Sequence, residues 1–336
     1  RINLRLEMQE YNGIRDKLIK CYIKGGGKEE DTDEMNNGEI ISGISFFFDK
    51  IEKLRGKLID TYVKTGGRTE IADNMTMGMS CLIQGRETTQ DIEFIPPLWS
   101  TSLTEDDFKN RTPDIYDDTE NFWYLELGGN KNTIDDTEKL RDELVALATG
   151  TWDYIKNSGK YNASKWDLDF LGFLPGKRES RRMCGEYIIT QKDISNGKIF
   201  TDEIAFGGWP LDDHFPGGFY HKGIPNTNYS TPAPYSIPYR ALYSKNVENL
   251  FFAGRNISMT HTAMSSIRVM ATCALLGEAV GKAASIAVKN CFTPHDVYCN
   301  KIDLLQNLLM NEDCFLPSKT REISSLCLNA KLNINS

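Results

Sequence analysis

No C-x-x-C pair occurs in the chain, although eight cysteines are spread along its 336 residues as Cys21, Cys81, Cys184, Cys273, Cys291, Cys299, Cys314 and Cys327. Zinc, thioredoxin-like and iron–sulfur spacings are thereby excluded, and no metal ligands are expected. The last four cysteines lie close enough in sequence for a disulfide cluster. Free, buried thiols in a reducing cytosol are nevertheless the expectation, which makes the cytoplasm the favoured compartment. Positive charge is also short: a formal net charge of -8 provides no broad basic field for phosphates, so nucleic acid is a poor partner and a small-molecule substrate a better one. The first residues lack the apolar core of a signal peptide, and the chain begins at Arg1 rather than at a methionine, so further sequence is expected upstream. The one long apolar run, Ala263 to Val288, contains Arg268, Glu278 and Lys282, whose burial in lipid costs several kcal/mol. It reads as a buried helix of a soluble protein with no membrane partner. Oligomeric state is not legible in these features.

What is present is ordinary globular composition, 40% hydrophobic and 26% charged, on a chain long enough for two or three cores. A helical pattern at Ile14, Leu18, Ile19 and Tyr22 precedes a polar, glycine-rich insert from Gly25 to Gly38, and Phe46 to Phe48 and Leu58-Ile59 read as edge strands. Met75 to Leu82 and Phe122 to Leu127 alternate as strands of a mixed or antiparallel sheet, separated by an acidic segment, Thr104 to Glu120, expected as a solvated loop. Asp135 and Glu138 have capping-box spacing, so a helix is expected there, burying Leu140, Leu144, Leu147, Thr151 and Ile155 on one face. Trp152 and Tyr154 read as packing.

Two regions carry chemistry. Phe170 to Arg182 turns at Pro175-Gly176 into the cationic group Lys177, Arg178, Arg181 and Arg182. These side chains either hold a carboxylate or phosphate through guanidinium contacts or pair with the chain's many acids. Further on, Val247 to Gly254 reads as a short apolar strand ending in glycine, followed by the polar loop Arg255 to His261 and a long helix with its N-cap near Ser266. Glycine at such a strand end lets a ligand approach the backbone, and the helix start offers unpaired N–H groups. Within the helix Cys273, Gly277, Gly281 and Ser285 recur every fourth residue, a ridge of small side chains that admits close approach of another backbone or reads as plain helix packing.

The segment Asn249-Leu-Phe-Phe-Ala-Gly-Arg-Asn-Ile-Ser-Met-Thr-His-Thr-Ala-Met-Ser-Ser-Ile-Arg-Val-Met-Ala-Thr-Cys-Ala-Leu-Leu-Gly-Glu-Ala-Val-Gly resembles the C-terminal signature of FAD-dependent oxidoreductases among the glutathione-reductase-like flavoproteins. Met77 to Ile83, Trp123 to Gly129, Phe173 to Arg182, Gly207 to His214, Leu304 to Leu309 and Phe315 to Pro317 are similar to further blocks of that family, so the resemblance runs from about Met75 to the end. It implies FAD as cofactor. The turn Ala253, Gly254, Arg255 and Asn256 would lie against the pyrophosphate and ribityl chain, and Ser266, Arg268, Val269 and Met270 would mark a helix start aimed at the flavin pyrimidine ring. Reduced flavin is negative near that ring, and a helix N-terminus worth roughly half a positive charge stabilises it. His214 and His261 are candidates for handling a proton, and Arg178 and Arg181 for anchoring substrate.

The family's opening G-x-G-x-x-G is absent; Gly25-Gly-Gly27 and Gly66-Gly67 lack the flanking strand and helix and read as loops, and Lys57 to Asp60 lacks the acidic-glycine turn. The expected fold is α/β: a partial FAD/NAD(P)-binding domain, Rossmann-like and of glutathione-reductase type, with a mixed or antiparallel-sheet substrate domain. Its expected divisions are a remnant of the FAD-binding domain over 1–74, a substrate domain over 75–182, the C-terminal part of the FAD-binding domain over 183–290 and a helical tail over 291–336. The implied activity is hydride transfer from a small polar substrate, a sugar or hydroxy acid, to flavin. A non-catalytic, FAD-deficient binding module and a carbohydrate lyase are the alternatives.

Overall fold

The computed structural model describes residues 76–113, 115–116, 122–232, 234–321 and 323–331, all within a compact unit spanning Thr61–Ser336. The elements and glycine runs expected before residue 75, with the division over 1–74, lie outside the described residues.

The strands are β1 (Met79–Ser80), β2 (Ile83–Glu87), β3 (Glu126–Leu127), β4 (Trp166–Leu171), β5 (Gly176–Lys177), β6 (Glu203–Gly207), β7 (Leu211–His214), β8 (Asn226–Tyr229) and β9 (Tyr235–Pro238). The helices are α1 (Thr137–Asn157), α2 (Gln191–Ser195), α3 (His261–Ile267), α4 (Met270–Asn290), α5 (Pro294–Asn311) and α6 (Ser325–Leu328). The described architecture is thus a mixture of helices and small antiparallel sheets: β3-β1-β5, β2-β4, β6-β9 and β7-β8. One parallel bridge, Ile189 with Met259, is found among the described residues. Val247 to Gly254 is not the expected strand. Its pairing is a single antiparallel bridge from Phe251 to Tyr243, because Ser244 N–H donates to Leu250 O and Phe252 N–H to Leu242 O, closing the segment on itself.

Helix α1 buries Leu140, Leu144, Leu147, Thr151 and Ile155, as the helical spacing predicts. Full burial of each such leucine contributes about 1.5–3 kcal/mol. Trp152 is also buried, and Tyr154 stacks on Phe108 at 4.5 Å. The capping box is not formed: Asp136 is the N-cap, Asp135 accepts from Asn132 and Glu138 pairs with Arg141. The acidic segment after Thr104 is not merely a solvated loop. A single 3-10 turn, Glu105–Phe108, sets Phe108 into the core, and buried Arg111 donates to Gly218 O and Gly223 O.

Two cores form. One gathers Met79, Leu125, Leu127 and the α1 leucines; the other gathers Met77, Ile204, Tyr235, Ile237, Met264, Leu276 and Leu305. The chain passes from one to the other between Met77 and Met79, and buried carboxylates receive the N–H groups there: Met77 N–H donates to Glu179 at 2.7 Å and Gly78 N–H to Glu126 at 2.7 Å.

The long apolar run is two helices. Helix α3 ends at Ile267, Val269 is extended at φ -69° and ψ 150°, and α4 begins at Met270. Ser266 is therefore not an N-cap. It is buried inside α3, where its hydroxyl donates to Trp209 O and shares a hydrogen bond with Tyr235. Helix α4 is long and apolar enough by length and composition to cross a membrane. It is buried on one face only, through Thr272, Leu276, Ala279, Ala283, Ile286 and Ala287, while Lys282 pairs with Glu278 and Glu312. The small-residue ridge looks outward, since a Cβ added at Gly277 or Gly281 would meet no described atom within 4 Å. The described cysteines are free, but Cys291, Cys299 and Cys327 are exposed rather than buried.

Candidate functional site

Gly254 adopts φ +95°, a left-handed conformation that a side-chain-bearing residue rarely takes. Nothing crowds it: an added Cβ would meet only Asn256 Oδ1 at 3.7 Å. The neighbouring Ala253 and Arg255 are exposed and Asn256 half-buried. Arg255 folds back onto the cationic turn, its Nη1 donating to Lys177 O at 2.8 Å and Arg178 O at 3.1 Å. The turn and the cationic segment are thus one structure.

Helix α4 starts open. Its N-cap, Val269, has no side chain able to accept a hydrogen bond, and the first in-register bond runs from Cys273 N–H to Val269 O. The peptide N–H groups ahead of Cys273 have no partner within the helix and carry the positive end of its dipole. Arg268 sits at the same break. Its guanidinium reaches Asp212 at 2.7 Å, while its Nε is buried with no hydrogen-bond partner among the described residues.

His214 ends β7 and is 5% exposed. Its Nδ1 lies 2.7 Å from Glu126 Oε2, its Nε2 lies 3.5 Å from Asp212 Oδ2 and from Arg268 Nη2, and the Trp123 ring packs 4.7 Å away. Arg178 completes the group with a 3.1 Å ion pair to Glu126. Burial opposes the charged imidazole, but hydrogen bonds to Asp212 and Glu126 and the charge of Glu126 outweigh it, so the His214 pKa lies above the ordinary histidine value. Burial, and then the charge of Arg255, hold Arg178 below the usual arginine value despite its carboxylate partners, and burial with the charges of Arg178 and Arg255 does the same to Arg268. Around this point the guanidinium groups of Arg178, Arg255 and Arg268 outnumber the carboxylates Glu126 and Asp212.

His261 belongs to a second, more interior network. Both ring nitrogens are occupied, Nδ1 at 2.7 Å from Glu179 and Nε2 at 2.9 Å from Asp213, and the residue is 1% exposed. Burial again opposes the charge, but the bonds to Asp213 and Glu179 raise its pKa to about 9. Burial likewise opposes ionisation of Glu179, yet His261, Arg182 and the Met77 N–H hold it below the usual carboxylate range.

Of the residues expected at a site, Arg178, His214, Arg255 and Arg268 are brought together, with Val269 and Met270 at the helix start and Ala253, Gly254 and Asn256 in the adjoining turn. Arg181 is half-buried and forms no ion pair among the described residues. Ser266 is committed inside α3, and His261 to its two carboxylates. Sequence reasoning missed Glu126, Glu179, Asp212 and Asp213. Glu126 carries a legible signal: it is a carboxylate in the otherwise apolar segment Trp123 to Leu127.

The orphaned guanidinium nitrogen and the uncapped helix start are donors suited to an anionic group such as a nucleotide cofactor, and the glycine turn is unobstructed. The sequence agrees: residues 72–309 match the model of the FAD dependent oxidoreductase family, and the chain belongs to that family. Its cofactor is FAD. No match was found among curated proteins or among solved structures.

Proposed function

We infer that the protein is a flavin oxidoreductase of the glutathione-reductase type that oxidises a small polar substrate of the sugar or hydroxy acid class. When bound, FAD supplies the two-electron acceptor for the substrate hydride. Ala253, Gly254, Arg255 and Asn256 would hold the phosphate and ribityl side, and Arg268, Val269 and Met270 the pyrimidine edge. Arg178, held by Glu126 next to His214, orients a substrate oxygen; Arg181 is the second anchor. His214 takes the hydroxyl proton. Its pKa lies above the ordinary histidine value, so the fraction able to accept a proton grows on the alkaline side of that value and turnover rises with pH. His261 is held more tightly, at 2.7 and 2.9 Å on its two nitrogens against 3.5 Å at His214 Nε2, and acts by fixing Asp213 and Glu179, hence the register of β7 and of the Met77 to Met79 crossing.

The observation that supports this reading best is the surplus of guanidinium charge between the Gly254 turn and the open start of α4. Such a surplus is costly in a partly buried site without an anionic occupant. The test is anaerobic mixing of the FAD-loaded protein with panels of polyols and 2-hydroxy acids. Bleaching of the visible flavin band by members of either panel supports the substrate class. Bleaching by neither, while dithionite still bleaches the band, contradicts it.

A further inference from the structure

Away from the flavin residues, α5 carries His295 and Cys299 one turn apart. Cys299 Sγ lies 3.3 Å from His295 Nε2, and His295 Nδ1 lies 2.6 Å from Glu186 Oε1. The other Glu186 oxygen accepts from the buried Tyr243 hydroxyl, which fixes the carboxylate. Bonded this way, Nδ1 carries the imidazole proton and Nε2 presents a lone pair to the thiol, the arrangement by which an acid, a histidine and a nucleophile act in series. Cys299 is exposed and lines a cavity of about 550 Å³ with Thr201, Asp202, Tyr298, Ser318 and Lys319. Asp202 is committed to Arg240, but Lys319 and Asp303, 3.9 Å apart on the same lining, present an ammonium and a carboxylate, which complements a zwitterionic, amino-acid-derived group. Cys291 and Cys327 are exposed too, but no histidine contact accompanies either among the described residues.

We propose that Cys299, His295 and Glu186 form a thiol-exchange site that takes low-molecular-weight, amino-acid-derived disulfides. His295 Nε2 accepts the Cys299 proton as the thiolate attacks one sulfur of the disulfide. A bond forms between Cys299 Sγ and that sulfur, the original S–S bond breaks, and the leaving thiolate takes the proton back from His295. Cys299 is oxidised to a mixed disulfide and half of the small disulfide is reduced to a thiol, so no further oxidant is required. Glu186 is a positioning residue that holds the histidine tautomer.

The experiment incubates the full chain with oxidised glutathione and follows each cysteine by peptide mass spectrometry. Cys299 is expected to be modified at least about tenfold faster than Cys291 or Cys327. His295→Gln should bring Cys299 down to their rate while leaving theirs unchanged, and Glu186→Gln should move the midpoint of the Cys299 rate-against-pH curve. Equal rates at the three cysteines of the unaltered chain, or an unchanged Cys299 rate in His295→Gln, would overturn the proposal. The first comparison is internal to one protein and needs no variant to fold.

Discussion

His214 Nδ1 lies 2.7 Å from Glu126 Oε2, and 88 residues of sequence separate the two. Glu126 also receives Gly78 N–H and Arg178, so one buried carboxylate ties β3, the crossing between the two cores and the cationic turn to the end of β7. Replacing it by alanine strands an imidazole nitrogen, a guanidinium and a peptide N–H in a water-poor site. Glu126→Ala should lower unfolding free energy by about 3–5 kcal/mol, read as a fall in the urea midpoint. Glu126→Gln, which keeps two polar atoms, should lose less.

His261 makes stability depend on pH. Its folded pKa of about 9 lies above the ordinary 6.5. A raised pKa means that the folded state binds the proton more tightly, so the contribution is complete below pH 6.5 and is lost as pH rises through 9. Urea midpoints should therefore fall across that window, and His261→Gln should be less stable at the acidic end and flatter across it.

Gly218 bears on Glu126 from the other side. It adopts φ +56°, and a Cβ there would come within 2.1 Å of Glu126 O. Gly218→Ala must displace β3 or the turn as well as strain the backbone. A loss of about 1–3 kcal/mol is expected, with the His214 ring resonances shifted in NMR spectra.

The glycine turn at Gly254 was legible in the sequence, and the histidine networks were not. Ala253 to Asn256 and the helix start at Arg268 to Met270 are contiguous, so local patterning and family resemblance reach them together. The start was expected near Ser266 because serine is a good cap. Instead, Val269 turns extended and the helix begins anew without a capping side chain. The pairs Glu126 with His214 and Glu179 with His261 join residues 88 and 82 apart, a separation at which no local period carries information. The same holds for the Val247 segment, whose apolar run matches a strand but whose backbone is satisfied by its near neighbours at Leu242 and Ser244.

The pH dependence of turnover gives a separate reading of His214. Its raised pKa places the rise in rate on the alkaline side of an ordinary histidine. Asp212→Asn removes a hydrogen bond and charge that hold the proton, so the rising limb should move to lower pH. An unmoved limb would assign the proton to another group.

The central claim is that the arginine-lined opening of α4 holds FAD. Equilibrium titration of the protein and of Arg268→Ala with FAD, followed by flavin fluorescence, tests it most directly. The unaltered chain should bind FAD, and the variant should bind more weakly by about 1.5–3 kcal/mol, roughly tenfold to a hundredfold, as expected for loss of a charged hydrogen-bond donor. Equal affinity of the two proteins, or no binding by the unaltered chain, would contradict the account.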